Sequence, residues 1–424
     1  MDVLRIIGAQ PARLTASEII QQARMGRSTG FALLKALGER GYVTKQGDGC
    51  YRLGETVRNM AFSSTEAAPQ QVSFGLGSKQ AGQALADMEL SAELFELADP
   101  TPARSLGPWR LGFANASSSN PWRKALLNSA EHAVRVLDRQ ICGFQSRDAG
   151  DDPLTQASQI DAFVQENVDA ILLSATPDPD NVLAGSLMRC QEQGIPVIAV
   201  DRRPNDRSGY AVFVTASDEL IGKFSAIWLA ETLQGQGRVW LQPGLDQASP
   251  ARRRLTAAKM VFARFPGLNI EGERFSGWTE DGGFQATQDL MLQHGQAPDG
   301  VWCDSGLQGV GSIRAFQALS ERIPPHTGGD INGMFRTALK LKVPFCAFDY
   351  PAAMGARAVE VAVEVLKGAT LPRRVEVPVP AILPRGTETR SIKADILAEH
   401  YVRWDLPDDT VLSQGLSLRG RPAR

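Results

Sequence analysis

The sequence predicts an α/β protein, in which an N-terminal winged helix-turn-helix precedes two lobes built on parallel sheets. Residues 27–53 carry a helix signal followed by two short strand signals with a glycine turn between them. From Trp109 onward, apolar strand-like runs alternate with amphipathic helix-like runs, which is typical of right-handed βαβ units in parallel sheets. These units are too numerous for one simple sheet, so the sequence favours two lobes.

The predicted winged helix-turn-helix, residues 1–60, is called the head below. It is organised around the stretch RSTGFALLKALGERGYVTKQGDGCYRL, at residues 27–53. The hydroxyls of Ser28 and Thr29 suit the capping of a helix, and Gly38 and Gly41 mark its expected end. An apolar stripe at helical spacing follows, formed by Phe31, Leu33, Leu34 and Leu37. Strands at 42–44 and 51–53 flank the glycine turn at 47–49. Upstream, a short helix that begins near Thr15 or Ser17 completes a helix-turn-helix.

This segment resembles the DNA-binding domain of IclR-type bacterial regulators. The match rests on residues 17–19 (SEI), 27–29 (RST), 33–34 (LL), 37 (L), 41–42 (GY) and 51–54 (YRLG), and it covers about residues 1–60. The turn position usually held by glycine is Arg24 here, so either a non-glycine residue adopts a left-handed conformation, at roughly 1 kcal/mol, or the turn passes through Gly26.

The resemblance implies contacts with double-stranded DNA. The candidate DNA-binding residues are Arg27, Ser28, Thr29 and Lys35 on the second helix and Lys45 and Arg52 on the wing. Residues 1–58 hold nine Lys or Arg against five Asp or Glu, a charge of +4 on a chain whose net charge is −2. A basic head on an acidic body suits a nucleic-acid partner. Ordinary fluctuation in charge, or a winged helix that contacts protein, would also fit.

The composition is that of an ordinary globular protein, with 43% hydrophobic and 22% charged residues. Five scattered cysteines are expected to be free thiols in a reducing compartment, and four isolated histidines give no metal pattern. The sequence lacks a signal peptide, a membrane-spanning run and the common nucleotide, hydrolase and metalloprotease motifs. We therefore expect a cytoplasmic protein that has no catalytic residues, metal or cofactor and does not bind membranes.

Composition divides the chain into four parts. Residues 1–60 form the winged helix-turn-helix, residues 61–108 a linker, residues 109–386 the two-lobed domain and residues 387–424 a polar tail. A helical patch at 80–97 inside the linker is either a docking or dimerising helix or part of a plain linker. The clearest strand-like runs are 111–114, 170–174, 196–200, 239–242, 301–303 and 344–348, and the clearest helices are 154–168 and 353–367.

Polar and aromatic residues recur just after the ends of these strands, where open α/β sheets bind ligands. The pieces NPW (120–122), IPVIAVDR (195–202), ASDELIGK (216–223), VWCDSGLQGVGSIRAF (301–316) and VLKG (365–368) resemble periplasmic sugar-binding proteins of the ribose type and the ligand domains of LacI-type regulators. The similarity covers roughly residues 109–384. It implies two Rossmann-like lobes, three crossover segments and a ligand in the cleft between the lobes.

The resemblance also implies a set of ligand-binding residues. They are Asn120, Trp122, Arg123, Asp201, Arg202, Arg254, Trp278, Ser305, Asp330 and Asp349. Aromatic faces and paired Asp and Arg side chains suit the C–H faces and vicinal hydroxyls of a sugar or polyol. Three positions depart from the ribose-type pattern: Arg123, Ser305 and Asp349. An acidic sugar or a phosphate therefore stays open beside a neutral sugar.

Each of these residues also has a purely structural interpretation. The two tryptophans could be core aromatics, Asp201–Arg202 a surface ion pair, Asp304 a helix cap and Asp330 a turn residue. Only one of the three consecutive arginines at 252–254 need enter the cleft.

The combined hypothesis is a transcription regulator that binds a palindromic operator as a homodimer or higher homo-oligomer and responds to a sugar, polyol or sugar acid. Two rival interpretations are a carbohydrate-binding protein without DNA binding and, with less support, a sugar-modifying enzyme. Salt-sensitive DNA binding separates the regulator from the first, and turnover of a sugar separates it from the second.

Overall fold

The protein is described by a computed structural model over residues 14–22, 26–39, 43–46, 49–53, 80–81, 92–94, 96–99, 107–329, 331–348, 350–377, 379, 381–385, 388–391 and 411. The chain divides into two compact units. The first comprises residues 1–73 with 392–396, and the second residues 74–391 with 397–424.

The first unit contains the helix-turn-helix and its wing. Strand β1 (Leu14–Thr15) precedes helix α1 (Ala16–Gln22) and helix α2 (Arg27–Glu39), which are followed by β2 (Val43–Lys45) and β3 (Cys50–Leu53). The three strands form an antiparallel sheet in the order β1-β3-β2. Thr15 and Glu18 form a reciprocal capping box at the start of α1, with the Thr15 backbone N–H donating to the Glu18 carboxylate over 2.7 Å.

The two helices approach closely at Gly30. A methyl group at this position would lie 2.3 Å from Cγ1 of Ile20, so only glycine fits without movement of the buried Ile20 side chain.

Three head predictions need correction. Helix α2 begins at Arg27, so Ser28 and Thr29 lie within its first turn, and the carbonyl of Gly26 accepts from the Gly30 N–H over 2.9 Å. The helix continues through Gly38 to Glu39. Phe31 is 45% exposed, and it does not belong to the buried stripe formed by the three leucines. The Arg24 turn lies outside the described residues.

The second unit contains two sheets, of which the first is parallel throughout and the second is parallel except at the last two strands of the chain. The N-terminal lobe has β4 (Trp109–Asn115), β5 (Ile141–Asp148), β6 (Ala170–Ser174), β7 (Val197–Val200), β8 (Val212–Thr215) and β14 (Arg374–Glu376), in the order β14-β8-β7-β6-β4-β5. Helices α3 (Pro121–Val136), α4 (Pro153–Gln165) and α5 (Ala184–Glu192) connect them. All pairings between these strands are parallel.

The C-terminal lobe has β9 (Gln236–Gln242), β10 (Gly267–Glu273), β11 (Gly300–Cys303), β12 (His326–Gly329), β13 (Phe345–Phe348), β15 (Ala381–Arg385) and β16 (Glu388–Ser391), in the order β10-β9-β11-β12-β13-β15-β16. Its helices are α6 (Asp218–Thr232), α7 (Ser249–Phe262), α8 (Glu280–His294), α9 (Gly306–Ala318) and α10 (Asn332–Lys340). The antiparallel β15–β16 pair extends the sheet to Ser391, past the boundary expected at 386.

The chain crosses between the lobes three times: from β8 to α6, from β13 to α11 (Met354–Leu366), and from β14 to β15. Helix α11 packs on α3 and on strands β6, β7 and β8, so it belongs to the N-terminal lobe. The predicted two-lobed α/β fold is confirmed. Within the part of the chain that the structure describes, no helix is long and apolar enough to cross a membrane.

Each lobe has its own core. Ile160, Phe163 and Phe213 lie in the core of the N-terminal lobe, and Trp240, Trp302 and Phe316 in that of the C-terminal lobe. The strand ends face the cleft between the lobes, where the buried polar side chains concentrate.

Candidate functional site

A cavity of about 40 Å³ lies between the carboxyl ends of the two parallel sheets. It is lined by Asn120, Trp122, Arg123, Asp201, Pro250, Arg254, Trp278, Ser305, Leu307, Ile331 and Tyr350. Both lobes contribute, and Tyr350 comes from the second crossover. This is where ligands bind in open α/β sheets.

Helix α3 begins at the cleft because Asn120 and Pro121 both favour the start of a helix. The Asn120 side-chain oxygen accepts from the Arg123 backbone N–H over 2.9 Å, and Pro121 occupies the first helical position. The first turn therefore presents Trp122 and Arg123 to the cavity.

Arg123 and Asp201 form a buried ion pair at the wall of the N-terminal lobe. Their side chains are 3% and 4% exposed, and the Arg123 Nη2 to Asp201 Oδ2 distance is 2.9 Å. Arg123 Nη1 donates to Ser174 Oγ over 2.6 Å, and the Tyr350 hydroxyl donates to Asp201 Oδ1 over 3.1 Å. Asp201 Oδ2 accepts no hydrogen bond of good angle from any described residue, so the 2.9 Å contact is mainly electrostatic.

A second buried pair, Arg254 and Asp218, stands on the opposite lobe. Arg254 Nε donates to Asp218 Oδ1 over 2.8 Å, and Arg254 Nη1 donates to the Asp304 carbonyl over 3.0 Å. The guanidinium lies 4.1 Å from the centre of the Tyr350 ring. Burial raises the pKa of Asp218 to about 6 although Arg254 opposes the rise, so the pair is ionised at neutral pH.

Trp278 forms the third part of the wall. Its Nε1 donates to Asp304 Oδ1 over 2.9 Å, and its ring packs on Gly244, where a methyl group would lie 1.9 Å from Trp278 Nε1. The Arg202 guanidinium of the N-terminal lobe lies 5.2 Å from the ring centre. Trp278 thus makes a cation–π contact across the cleft.

Arg202 is placed differently from its neighbour Asp201. It is buried and does not line the cavity, and its Nη1 lies 2.8 Å from Asp151 Oδ1 in the same lobe. Burial lowers the pKa of Arg202 to about 10, helped by the nearby charge of Arg123, which still leaves it charged at neutral pH. Arg202 therefore contacts Trp278 across the cleft without lining the cavity itself.

Two residues that line the cavity have an unfavourable backbone conformation. Asp201 and Trp278 have φ angles of 62° and 56°, in the left-handed region that non-glycine residues avoid. Each costs on the order of 1 kcal/mol and re-aims its side chain toward the cleft.

Seven of the ten residues expected in the ligand site line one cavity: Asn120, Trp122, Arg123, Asp201, Arg254, Trp278 and Ser305. Asp330 and Asp349 lie outside the described residues. Of the three consecutive arginines only Arg254 enters, because Arg252 pairs with Asp246 and Arg253 with Glu219. Asp304 receives N–H groups from Gly244, Trp278 and Gln308.

The sequence interpretation missed Pro250, Leu307, Ile331 and Tyr350. Tyr350 was within reach of the strand-end rule, since it comes two residues after β13. It stacks on Trp122 with ring centres 5.1 Å apart, and its carbonyl accepts from Trp122 Nε1 over 2.8 Å. The other three are apolar and resemble core residues in the sequence.

The candidate DNA-binding side chains that the structure describes are exposed. Arg27 and Lys35 lie on α2, and Lys35 forms an exposed ion pair with Glu39 at 3.8 Å. On the wing, Arg52 pairs with Thr44 and Lys45 with Tyr51, so the two basic side chains leave the ribbon on opposite faces. The side chains of Ser28 and Thr29 lie outside the described part.

Comparisons with known proteins identify both parts of the chain. A family model described as a periplasmic binding protein domain matches residues 111–370, and one described as the IclR helix-turn-helix domain matches residues 1–47. The predicted fusion of these two domains is confirmed.

Individual known proteins are similar to parts of the chain that include the two-lobed domain. A xylitol-binding protein of Mycolicibacterium smegmatis is 25% identical over 194 residues, which cover 43% of this chain and 51% of that protein, so the match spans about half of its length. A putative rhizopine-binding protein of Rhizobium meliloti is 24% identical over 281 residues, covering 63% of this chain and 88% of that protein.

A solved structure has the same fold. It is an ABC transporter solute binding protein from Bacillus halodurans C-125 with bound myo-inositol, with a TM-score of 0.59 and 19% identity. The match covers 66% of this chain and 96% of that one.

Proposed function

The chain belongs to the periplasmic-binding-protein family through residues 111–370, and from that premise we propose that it is a DNA-binding transcription regulator controlled by a sugar or sugar-like effector. The observation that carries the proposal is a two-lobed cleft walled by aromatic rings and Asp–Arg pairs on a chain that begins with a helix-turn-helix. Operator DNA and the effector are its partners, in the cytoplasm, and the chemistry is binding without turnover.

The charges in and beside the cleft favour a neutral effector. Both arginines that line the cavity face a carboxylate, Arg123 facing Asp201 and Arg254 facing Asp218. Arg202, which is buried beside the cavity, faces Asp151. A sugar acid or phosphate would need an arginine that is not already neutralised. Hydroxyls can share these charge-assisted hydrogen bonds without adding net charge, so we expect a sugar or polyol.

The architecture of the cleft suggests how an effector would enter. The two lobes that wall the cavity are joined by three crossover segments. We expect the lobes to separate at these crossovers when a sugar enters and to close again around it. In a homodimer on a palindromic operator, this closure would alter DNA affinity through a coupling free energy on the order of 1–3 kcal/mol.

Two measurements on the full-length protein test the proposal. A thermal-shift screen with xylitol, myo-inositol, pentoses and matched sugar acids should find a neutral ligand that adds about 2.7 kcal/mol of stability at 100 times its dissociation constant. A retardation assay on DNA upstream of the protein's own gene should show affinity that falls steeply with salt and changes with that ligand.

The same measurements separate the rivals. Ligand binding without salt-sensitive DNA binding would favour a carbohydrate-binding protein that does not bind DNA. Chemical conversion of the sugar would favour an enzyme. A response confined to sugar acids would contradict the argument from charge. Arg27→Ala and Lys35→Ala should reduce DNA affinity and leave the ligand-induced thermal shift unchanged.

A further inference from the structure

Phe31 is an aromatic residue exposed on the second helix of the head. Its side chain is 45% exposed, whereas Leu33, Leu34 and Leu37 on the same helix are at most 7% exposed. The orientation is fixed by Gly30, which packs against Ile20 of α1. One residue further along, a helix turns by about 100°, which carries Phe31 away from this contact.

Phe31 lies between two cations. Arg27 and Lys35 are four residues before and after it, so the three side chains share one face of α2. Arg27 is exposed, and the Lys35 side chain is 79% exposed. The exposed surface of α2 therefore has an apolar ring with a cation one helical turn away on either side, and Lys35 also forms the exposed ion pair with Glu39 at 3.8 Å.

This arrangement is complementary to the major groove of DNA. Cations at the two ends of a short helical face suit the phosphates that border the groove. Inside the groove, the C5-methyl group of thymine is the apolar feature that distinguishes a base pair, and a phenylalanine ring can contact it.

We propose that Phe31 is a specificity-determining residue that recognises a thymine methyl group in each operator half-site. The proposal rests on the proposed function, because it requires α2 to enter DNA. Arg27 and Lys35 then supply affinity that does not depend on sequence, and Phe31 supplies preference for thymine at one position.

The test removes the methyl group from the DNA and the ring from the protein. The probe is duplex DNA selected from a random pool by the full-length protein, with each recurrent thymine replaced in turn by deoxyuridine, which pairs identically. At one thymine per half-site we expect binding by the unchanged protein to weaken about fourfold, the value of one buried methyl group. Phe31→Ala should lose affinity for the thymine duplex and be insensitive to deoxyuridine there.

Controls make each outcome decisive. Phe31→Leu keeps an apolar side chain and should retain part of the discrimination, and Leu292→Ala removes an 85% exposed leucine from the second unit and should change nothing. Because Phe31 is exposed and alanine favours helix, Phe31→Ala should fold. The inference is overturned if deoxyuridine has no effect at any position, or if its effect persists in Phe31→Ala. Failure to select any DNA would instead overturn the proposed function.

Discussion

At the scale of single residues, the cleft depends on buried charges that are matched in pairs. Removing one member of such a pair leaves the other as an uncompensated charge in a low-dielectric interior, which is far more costly than losing a surface ion pair. Arg123–Asp201 and the exposed Arg189–Asp161 pair, at 2.7 Å, allow a direct comparison within one lobe.

We expect Asp201→Ala to lower the free energy of unfolding by about 3–5 kcal/mol and to abolish effector binding. The double variant Arg123→Met/Asp201→Leu should recover much of the stability but none of the binding, because no charge remains unpaired. Arg189→Ala should cost less than about 1 kcal/mol. Urea denaturation measures all three, and equal losses in Asp201→Ala and Arg189→Ala would contradict the burial argument.

A buried histidine gives a second prediction, for pH. His326 accepts from Ser312 at Nε2 over 2.9 Å, because its Nδ1 must donate to the Pro324 carbonyl at 2.7 Å. Burial lowers its pKa from 6.5 to about 4. Between these values the unfolded chain binds the extra proton, so the free energy of unfolding decreases as the pH falls.

This effect should cost about 2 kcal/mol between pH 7 and pH 5. The variant His326→Gln cannot take up that proton, so its stability should fall less steeply over the same interval. Denaturation curves at several pH values test this. The two slopes are compared rather than the absolute stabilities, and parallel slopes would show that His326 does not titrate in this window.

At the scale of elements, glycines decide how closely helices pack. A methyl group at Gly30 would meet Ile20, whereas one at Gly38 on the same helix has the Val43 carbonyl oxygen as its closest neighbour, at 3.9 Å. Gly30→Val should therefore destabilise the head by about 1–3 kcal/mol through overpacking. Gly38→Ala should stabilise it by up to about 1 kcal/mol.

Because the head is a separate unit, DNA affinity should follow these changes while effector affinity should not. Retardation assays and sugar titrations on the same preparations distinguish the two. A loss of effector binding in Gly30→Val would mean that the two units do not fold independently.

The segment before the body is a second element with a specific role. Ala92–Leu94 form a short 3₁₀ helix whose Glu93 is buried and lies 2.6 Å from both Arg203 and Arg207. The Glu96 carbonyl accepts from the Arg373 N–H over 2.8 Å, which ties the segment to the N-terminal lobe. Ala81, in contrast, packs in the core of the C-terminal lobe.

Ala81 therefore contacts the C-terminal lobe and Glu93 the N-terminal lobe, so relative motion of the lobes changes the distance between these two residues. We expect Glu93→Gln to leave the effector dissociation constant unchanged and to diminish the effector-induced change in DNA affinity, a coupling on the order of 1–3 kcal/mol. Glu96→Gln, at an exposed position, is the matched control. If the effector changes DNA affinity as much in Glu93→Gln as in the unaltered protein, the Glu93 contact does not transmit the conformational change.

The elements that the sequence predicted are those whose own residues carry the signal. Strands β7 and β13 are apolar throughout, β6 is apolar except for Ser174, and all three are buried on both faces, so continuous apolar runs mark them. Strand β12 has the sequence HTGG, whose two glycines disfavour a strand, yet it pairs on both sides. Its glycines are explained by tertiary contacts, since a methyl group at Gly328 would lie 2.8 Å from Met334 Cε.

The residues of the candidate site likewise fall into a group that the sequence could predict and a group that it could not. Polar residues after strand ends were predictable because few other reasons place them there, which is why seven of ten converge. Apolar members such as Ile331 carry no such signal. Arg202 was assigned to the cavity because sequence adjacency to Asp201 does not reveal the left-handed backbone at φ 62°, which points the two side chains apart.

At the scale of the whole molecule, closure of two lobes is the step on which the proposed regulation depends, and Trp278 reports it. Its ring belongs to the C-terminal lobe, but the cation stacked on it, Arg202, belongs to the N-terminal lobe. Opening the cleft must separate the two and expose the ring to water, whereas a bound sugar would replace water against the ring face.

Titration with the effector should therefore change the tryptophan fluorescence of the unaltered protein. Trp278→Phe should lose most of that change and bind the effector up to about tenfold more weakly, since one aromatic contact contributes about 0.5–1.5 kcal/mol. Trp228→Phe removes a partly buried tryptophan that packs on the C-terminal core, and it should retain both signal and affinity. Solution scattering with and without effector gives an independent measure. If the radius of gyration stays constant while Trp278→Phe keeps its fluorescence change, the lobes bind the effector without closing, and the coupling to DNA needs a different origin.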